Sequence, residues 1–243
     1  MRVRQTVIVG VVVSVLLVGG SVALLGYTMA PSQTPQDFSG LRPCTPPPEF
    51  VDTPHPIVAP IENLVSHTEE IVIERPLAVV LDVEAKTSLE DAIDKNSSLP
   101  HVSGTYMLTE GEFGQPGSRR VTCLSDGSTL VEQVLENDRT SNSSQYRYVV
   151  WNCTSQKARP IVYGVGNFFR SDIGGARTLV RWTYSFQLNG HNFPGILGGF
   201  GKFLFRRNFL DRQYAEMMRR SLAGSKARIE SKALPGDNRS LHE

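Results

Sequence analysis

The stretch Arg177–Leu188 constrains the fold more than any other part of the chain. Thr178, Val180, Trp182, Tyr184, Phe186 and Leu188 share one side of an extended chain, and Arg177, Arg181, Thr183, Ser185 and Gln187 share the other. Successive side chains of a strand point to opposite faces, so this strand has one apolar face and one wet face. It belongs in an antiparallel sheet packed on a core from one side. The same period-two pattern marks further strands at Thr105–Gly111, Ser118–Ser125, Thr129–Asn137, Gln145–Asn152 and Ile161–Ser171. Asp126-Gly127 between two of these runs is a two-residue hairpin signal.

Helical signals flank the strands. His67–Glu74 suits a first strand, and Pro76 then stands where a helix begins, because its missing N–H costs nothing in the first turn. Leu77, Val80, Leu81 and Ala85 follow at helical spacing, and Ser88-Leu-Glu-Asp91 has the form of a helix-start box. Past a bend at Gly195–Gly201, a helical pattern runs to about Ile229, with Phe203, Leu210, Tyr214, Met217 and Met218 near one stripe. The predicted order is strand, short helices, about six more strands and a long last helix.

The N-terminus is different in kind. Arg2 and Arg4 precede an uncharged run from Thr6 to Met29, whose Val/Leu-rich heart is residues 7–27. About 20 apolar residues in a helix cross a hydrocarbon core of roughly 30 Å. The flanking arginines keep the N-terminus cytoplasmic and send the rest of a single-pass chain to the periplasmic or extracellular side. A cleaved signal peptide ending near Thr28-Met29-Ala30 is the competing reading. Residues 1–30 are thus an anchor or signal segment. Residues 31–61, rich in proline, are a linker favouring extended spacing; 62–232 are the folded domain, and 233–243 a flexible tail.

Charge and cysteine content narrow the function. With 25 Lys and Arg against 24 Asp and Glu, the chain lacks the basic excess of a nucleic-acid binder. Three cysteines without a Cys/His cluster give neither a disulfide framework nor a zinc site. Cys123 and Cys153 fall on strands about two spacings apart, beyond disulfide reach, and are expected as free, buried thiols. Cys44, in the linker, is expected unpaired or in an intermolecular bond.

In this order, Ile73-Glu-Arg-Pro76, Pro116–Arg120, Leu124-Ser-Asp-Gly127, Tyr146–Trp151 and Gly175–Trp182 resemble the helix-grip superfamily of START-like, polyketide-cyclase-like (SRPBCC) domains, over roughly residues 64–228. The resemblance implies an α+β fold in which a curved antiparallel sheet of about seven strands wraps the last helix around a cavity for lipids, sterols, polyketides or aromatic molecules. Fold does not fix activity.

The expected pocket wall is Met107, Tyr163, Trp182, Tyr184, Phe186, Phe203, Tyr214 and Met217. Tyrosine and tryptophan offer apolar bodies with one polar tip, and methionine adapts to varied shapes. Core packing explains each of these side chains individually. The histidines are scattered, no hydrolase or metalloprotease motif is present, and no cofactor or metal is expected. Gly164-Val-Gly166 reads as relief on a curved strand. Glu110, Glu112, Glu132 and Arg120 offer acid–base groups, or simply exposed strand charges. The basic border of the last helix either meets anionic headgroups or is a solvated face balanced by acidic residues 62–94. The sequence therefore points to a membrane-anchored binder of a hydrophobic small molecule or lipid. A cyclase/dehydratase-type enzyme using the same cavity and a non-catalytic cell-envelope interaction module are the alternatives.

Overall fold

The computed structural model describes Cys44 and residues 50–232; the expected membrane segment and tail lie outside them. Among the described residues no helix is long and apolar enough to cross a membrane, and no group of three or more His, Cys, Asp or Glu is placed to hold a metal. Seven strands form one antiparallel sheet: β1 (Val65–Ile73), β2 (Val102–Met107), β3 (Arg119–Leu124), β4 (Thr129–Arg139), β5 (Ser143–Trp151), β6 (Ile161–Asp172) and β7 (Thr178–Leu188). Their order across the sheet is β1-β7-β6-β5-β4-β3-β2. Sequential strands from β2 to β7 are neighbours, and the first strand closes onto the last.

Two short helices join β1 to β2. In α1 (Leu77–Ala85) Leu77, Val80 and Val83 are buried at intervals of three, and Pro76 sits at the N-cap. In α2 (Leu89–Ala92) the Ser88 side chain accepts a hydrogen bond from the Asp91 N–H, the capping contact its sequence signalled. The final helix comprises α3 (Gly198–Phe205), a π-helical stretch Arg206–Tyr214, and α4 (Ala215–Glu230). Met217, Met218, Leu222 and Ile229 of α4 are buried against β7 and β1. This is the helix-grip arrangement.

Polar contacts fix the helix to the first strand. Glu69 receives the Arg219 guanidinium at 2.6 Å, His67 bridges Glu69 and Asp211, and Lys226 donates to the Val72 carbonyl. Arg228 donates to the Asp91 carbonyl of α2, and Arg75 donates to the Glu230 carbonyl. Part of the helix's basic border is thus satisfied by the 62–94 region.

Residues 50–61 of the proline-rich segment do more than space the domain. Phe50, Val58 and Ala59 pack on the sheet face turned away from the helix, over Val131, Val149, Trp151, Tyr163 and Val165. The Ala59 N–H donates to the Tyr163 hydroxyl at 2.8 Å, and Asp52 pairs with Arg119 at 2.9 Å. Proline costs nothing here, because this strap adds no strand to the ladder and spends few backbone donors on the sheet.

Cysteine pairing corrects the expectation of free thiols. Cys44 and Cys123 are disulfide-bonded with their Cα atoms 5.8 Å apart, and Cys153 is free and exposed. Distance between strands was a sound reason to separate Cys123 from Cys153; it had no bearing on Cys44, which lies against β3. Gly104 stands opposite Cys123 in the neighbouring strand. A Cβ at 104 would lie 2.8 Å from the Cys44 Cβ, so glycine there leaves room for the bridge. The closed loop spans 79 residues. Cys123→Ser is therefore expected to lower stability by about 2–4 kcal/mol in denaturant titrations. Alkylation of the folded chain should label one thiol before reduction and three after; three labelled thiols without reductant would contradict the bridge.

Candidate functional site

The helix-facing side of the sheet can be followed row by row from the strand register. One row runs Tyr148, Gly166, Tyr184, His67; the next toward the far end of β1 runs Tyr146, Phe168, Trp182, Glu69; on the other side lie Arg120, Glu132, Val150, Gly164 and Phe186. The helix contributes Phe205, Phe209, Tyr214 and Met217 from above. Five of the eight expected wall residues, Trp182, Tyr184, Phe186, Tyr214 and Met217, meet in this single cluster.

The other three do not. Tyr163 is buried on the opposite face beneath the strap, because its partner Gln187 belongs to the wet side of β7. Phe203 points outward from α3, 52% exposed: the helix starts at Gly198, which turns this position to solvent. Met107 shares the row of Arg120 and Glu132, but β2 is the far edge strand, well away from the aromatic cluster.

The cluster is knit by ring contacts. Phe168 stacks on Trp182 at 4.7 Å, Tyr184 lies 4.7 Å from Tyr214 and 4.9 Å from Phe186, and Phe186 meets Tyr214 edge-on at 5.0 Å. Each such pair adds roughly 0.5–1.5 kcal/mol beyond area burial. Two glycines make the arrangement possible. A Cβ at 166 would sit 2.1 Å from Tyr148 Cζ, and one at 164 would sit 2.7 Å from Tyr184 Cε1. The crowding that the two glycines were expected to relieve is that of two tyrosine rings seated against β6.

Polar atoms are embedded in this apolar wall. Burial pushes the Tyr148, Tyr184 and Tyr214 hydroxyls well above the ordinary phenol range, with the nearby Glu132 charge adding to it, so all three stay neutral hydrogen-bonding groups. The Tyr184 and Tyr214 rings lie 4.7 Å apart, and their hydroxyls influence each other's ionisation. The Trp182 Nε1 is buried without a well-aligned partner and interacts only weakly with the Tyr148 hydroxyl. A raised phenol contributes stability that is complete below the unfolded value near 10 and is lost as pH climbs above it, since only the unfolded chain then ionises. We expect alkaline unfolding to steepen by about 1.4 kcal/mol per pH unit for each buried tyrosine. Ultraviolet titration should detect these phenols ionising only as the fold is lost; smooth ionisation near pH 10 in a folded chain would contradict their burial.

Charges also enter the interior, against the expectation that strand carboxylates are solvated. Glu110 and Glu112 are exposed as expected, but Glu132 is only 4% exposed. Arg120 Nη2 pairs with it at 2.8 Å, the Thr122 hydroxyl lies 3.5 Å away, and the Arg120 guanidinium covers the Phe113 ring at 3.7 Å. A second buried cation, Arg170, pairs with Glu84 of α1 at 2.6 Å and lies over Phe168. Sequence reasoning missed Arg170 and Phe168; the alternation of β6 carries a faint signal for them, because Phe168 and Arg170 share the parity of Gly166.

Two hollows are found among the described residues away from the expected cavity between sheet and long helix. One hollow of about 450 Å³ lies on the opposite face, between Val58–Ile61 of the strap and Gln145, Arg147, Asn167 and Ser185. The next, about 270 Å³, lies between α2 and α4 around Asp94, Arg220 and Arg228. The helix-facing side is lined with rings that fill it.

No protein-family model matches the chain, and no curated protein matches it. Among solved structures it is similar to Ara h 8.0201, at 14% identity over 70% of this chain and 99% of that one, with a TM-score of 0.47. It is likewise similar to a hypothetical protein from Helicobacter pylori, at 14% identity over 73% and 98%, TM-score 0.48. A point mutant of a Thalictrum norcoclaurine synthase, in complex with a transition-state analogue, is similar at 9% identity over 70% and 98%, TM-score 0.47. At these scores the likenesses add nothing to the strand order and helix placement described above, which carry the fold by themselves.

Proposed function

We infer that the domain binds a hydrophobic small molecule or lipid between its sheet and its long helix. The observation that carries this reading is the wall itself. Trp182, Tyr184, Phe186, Tyr214 and Met217 form one apolar surface into which three tyrosine hydroxyls and the Trp182 Nε1 are set. Such a surface, apolar with a few polar tips, suits ligands that are greasy with one or two hydrogen-bonding groups. Because rings occupy the space, a ligand enters by displacing side chains and easing the helix off the sheet. The π-helical stretch Arg206–Tyr214 is where the helix would yield, since its hydrogen bonding is the least regular.

Tethering to a membrane through residues 7–27, with the domain on the periplasmic or extracellular side, completes the reading. The Cys44–Cys123 bond supports that placement, because disulfides persist in oxidising compartments. A second reading, acid–base catalysis in the same interior, draws on one observation: the Glu132 carboxylate and its Arg120 partner face the helix side.

Native mass spectrometry of the purified full chain, with extraction of whatever it retains, tests the binder. A bound hydrophobic molecule released on unfolding is the expected result. A chain that is empty and takes up no fatty acid or sterol when challenged overturns it and leaves the interaction module. Turnover of a polyketide-like substrate, abolished by Glu132→Gln, would favour the enzyme.

A further inference from the structure

The turn from β7 into the last helix exposes large apolar side chains in succession: Ile196 at 62%, Leu197 at 44%, Phe200 at 62% and Phe203 at 52%. Single exposed hydrophobics are ordinary, but a contiguous group is not. Phe200 and Phe203 lie one turn apart with rings 6.4 Å from each other, so the group forms a surface and not a set of isolated tips. No acidic residue occurs in the sequence between Asp172 and Asp211, whereas Lys202 and Arg207 lie within it; Lys202 donates to the Asn63 carbonyl at 2.6 Å, beside the exposed Glu62, and keeps its charge. Arg207 is exposed, and none of the salt bridges or side-chain hydrogen bonds found among the described residues involves it. Arg219 and Arg228, by contrast, are spent on Glu69 and the Asp91 carbonyl.

The position of this surface matters as much as its chemistry. The antiparallel register puts the end of β7, the start of β1 and the β3–β4 hairpin at one end of the sheet. Cys123, which holds Cys44, lies at that end, paired with Thr129 beside the hairpin. The chain that precedes Cys44 therefore joins the domain, through the disulfide, at the end that carries the exposed phenylalanines. Only fifteen residue steps separate Met29, the last residue of the uncharged run, from Cys44. Those steps span at most about 50 Å when fully extended.

We propose that Ile196, Leu197, Phe200 and Phe203, flanked by Lys202 and Arg207, dock this end of the domain onto an anionic lipid surface. Phenylalanine and leucine side chains enter the acyl boundary while neighbouring cations meet the headgroups, the composition of an interfacial helix face. The excess of cations over acids between residues 173 and 210 favours lipid over a protein partner, whose surface would ordinarily be met with charges of both signs. This surface lies outside the ligand wall, so it stands whether or not the interior binds anything.

The test uses the full chain carrying Cys153→Ser and a polarity-sensitive dye on Phe203→Cys. Phe203 is exposed, so the change leaves the core intact. The chain is reconstituted into vesicles of phosphatidylcholine with phosphatidylglycerol, or of phosphatidylcholine alone. A control dye sits on Arg177→Cys at the opposite end of the sheet. The expected result is a blue shift at 203 in anionic vesicles, quenched by lipids brominated in the acyl chain, with no change at 177. Lys202→Gln with Arg207→Gln should lower the docked-to-undocked ratio roughly thirtyfold. A dye at 203 that stays in a watery environment on vesicle-bound protein overturns the proposal. So does a shift that is equal in neutral vesicles, or one that follows protein density and not lipid charge, which would mark a second copy of the chain as the partner.

Discussion

Replacing Arg120 by alanine is expected to destabilise the domain by about 3–5 kcal/mol, because it strands a buried carboxylate without its cation. Glu132 is 4% exposed, and the Arg120 guanidinium supplies its counter-charge at 2.8 Å. Glu132→Ala should cost a similar amount by leaving Arg120 beneath Phe113 without an anion. The informative comparison is the double change Arg120→Met with Glu132→Leu. A buried pair replaced by apolar side chains of similar size often loses little stability, so the double variant should recover most of what either single variant loses. Denaturant titration followed by circular dichroism gives all three values. Single-variant losses below about 1 kcal/mol would mean that the pair is solvated after all.

Trp182→Ala carries an equally large expected effect, about 3–5 kcal/mol. The indole is 1% exposed, stacked on Phe168 at 4.7 Å and edge-on to Tyr184 at 6.3 Å. Its removal leaves a hole that the surrounding rings fill only in part. Trp182→Phe should retain much of the packing while deleting Nε1, a buried donor with no well-aligned partner. If that donor serves a ligand, Trp182→Phe weakens ligand retention while costing little stability. If retention follows stability across both variants, Trp182 is a packing residue alone.

The strands were readable because their inward and outward residues contrast. On β7 the observed face Val180, Trp182, Tyr184, Phe186 and Leu188 is the one the alternation separates, and Ser66, Thr68, Thr183 and Ser185 pair as hydroxyls on the other side. The Ser88 cap and the Asp126-Gly127 turn were local signals, decided within a few residues. What failed were non-local features. Near the middle of the sheet both faces are covered, one by the helix and one by the strap, so Val131 and Glu132 are both buried and parity no longer reports exposure. Tyr163 fell on the wrong side for the same reason: an aromatic residue under the strap looks in sequence like one under the helix. Pairing of Cys44 with Cys123 depends on a 79-residue return that no local pattern announces. Met107 and Phe203 carried the right chemistry at positions that the edge strand and the first helical turn place elsewhere.

The chain has two tryptophans, and the sheet separates them: Trp182 faces the helix, and Trp151 lies under the strap. Binding of a brominated fatty acid to Trp151→Phe protein should therefore quench the Trp182 emission, while Trp182→Phe protein keeps its Trp151 emission. Quenching of Trp151 instead, or bound ligand that dims neither indole, would place the ligand outside the space between sheet and helix and contradict the account.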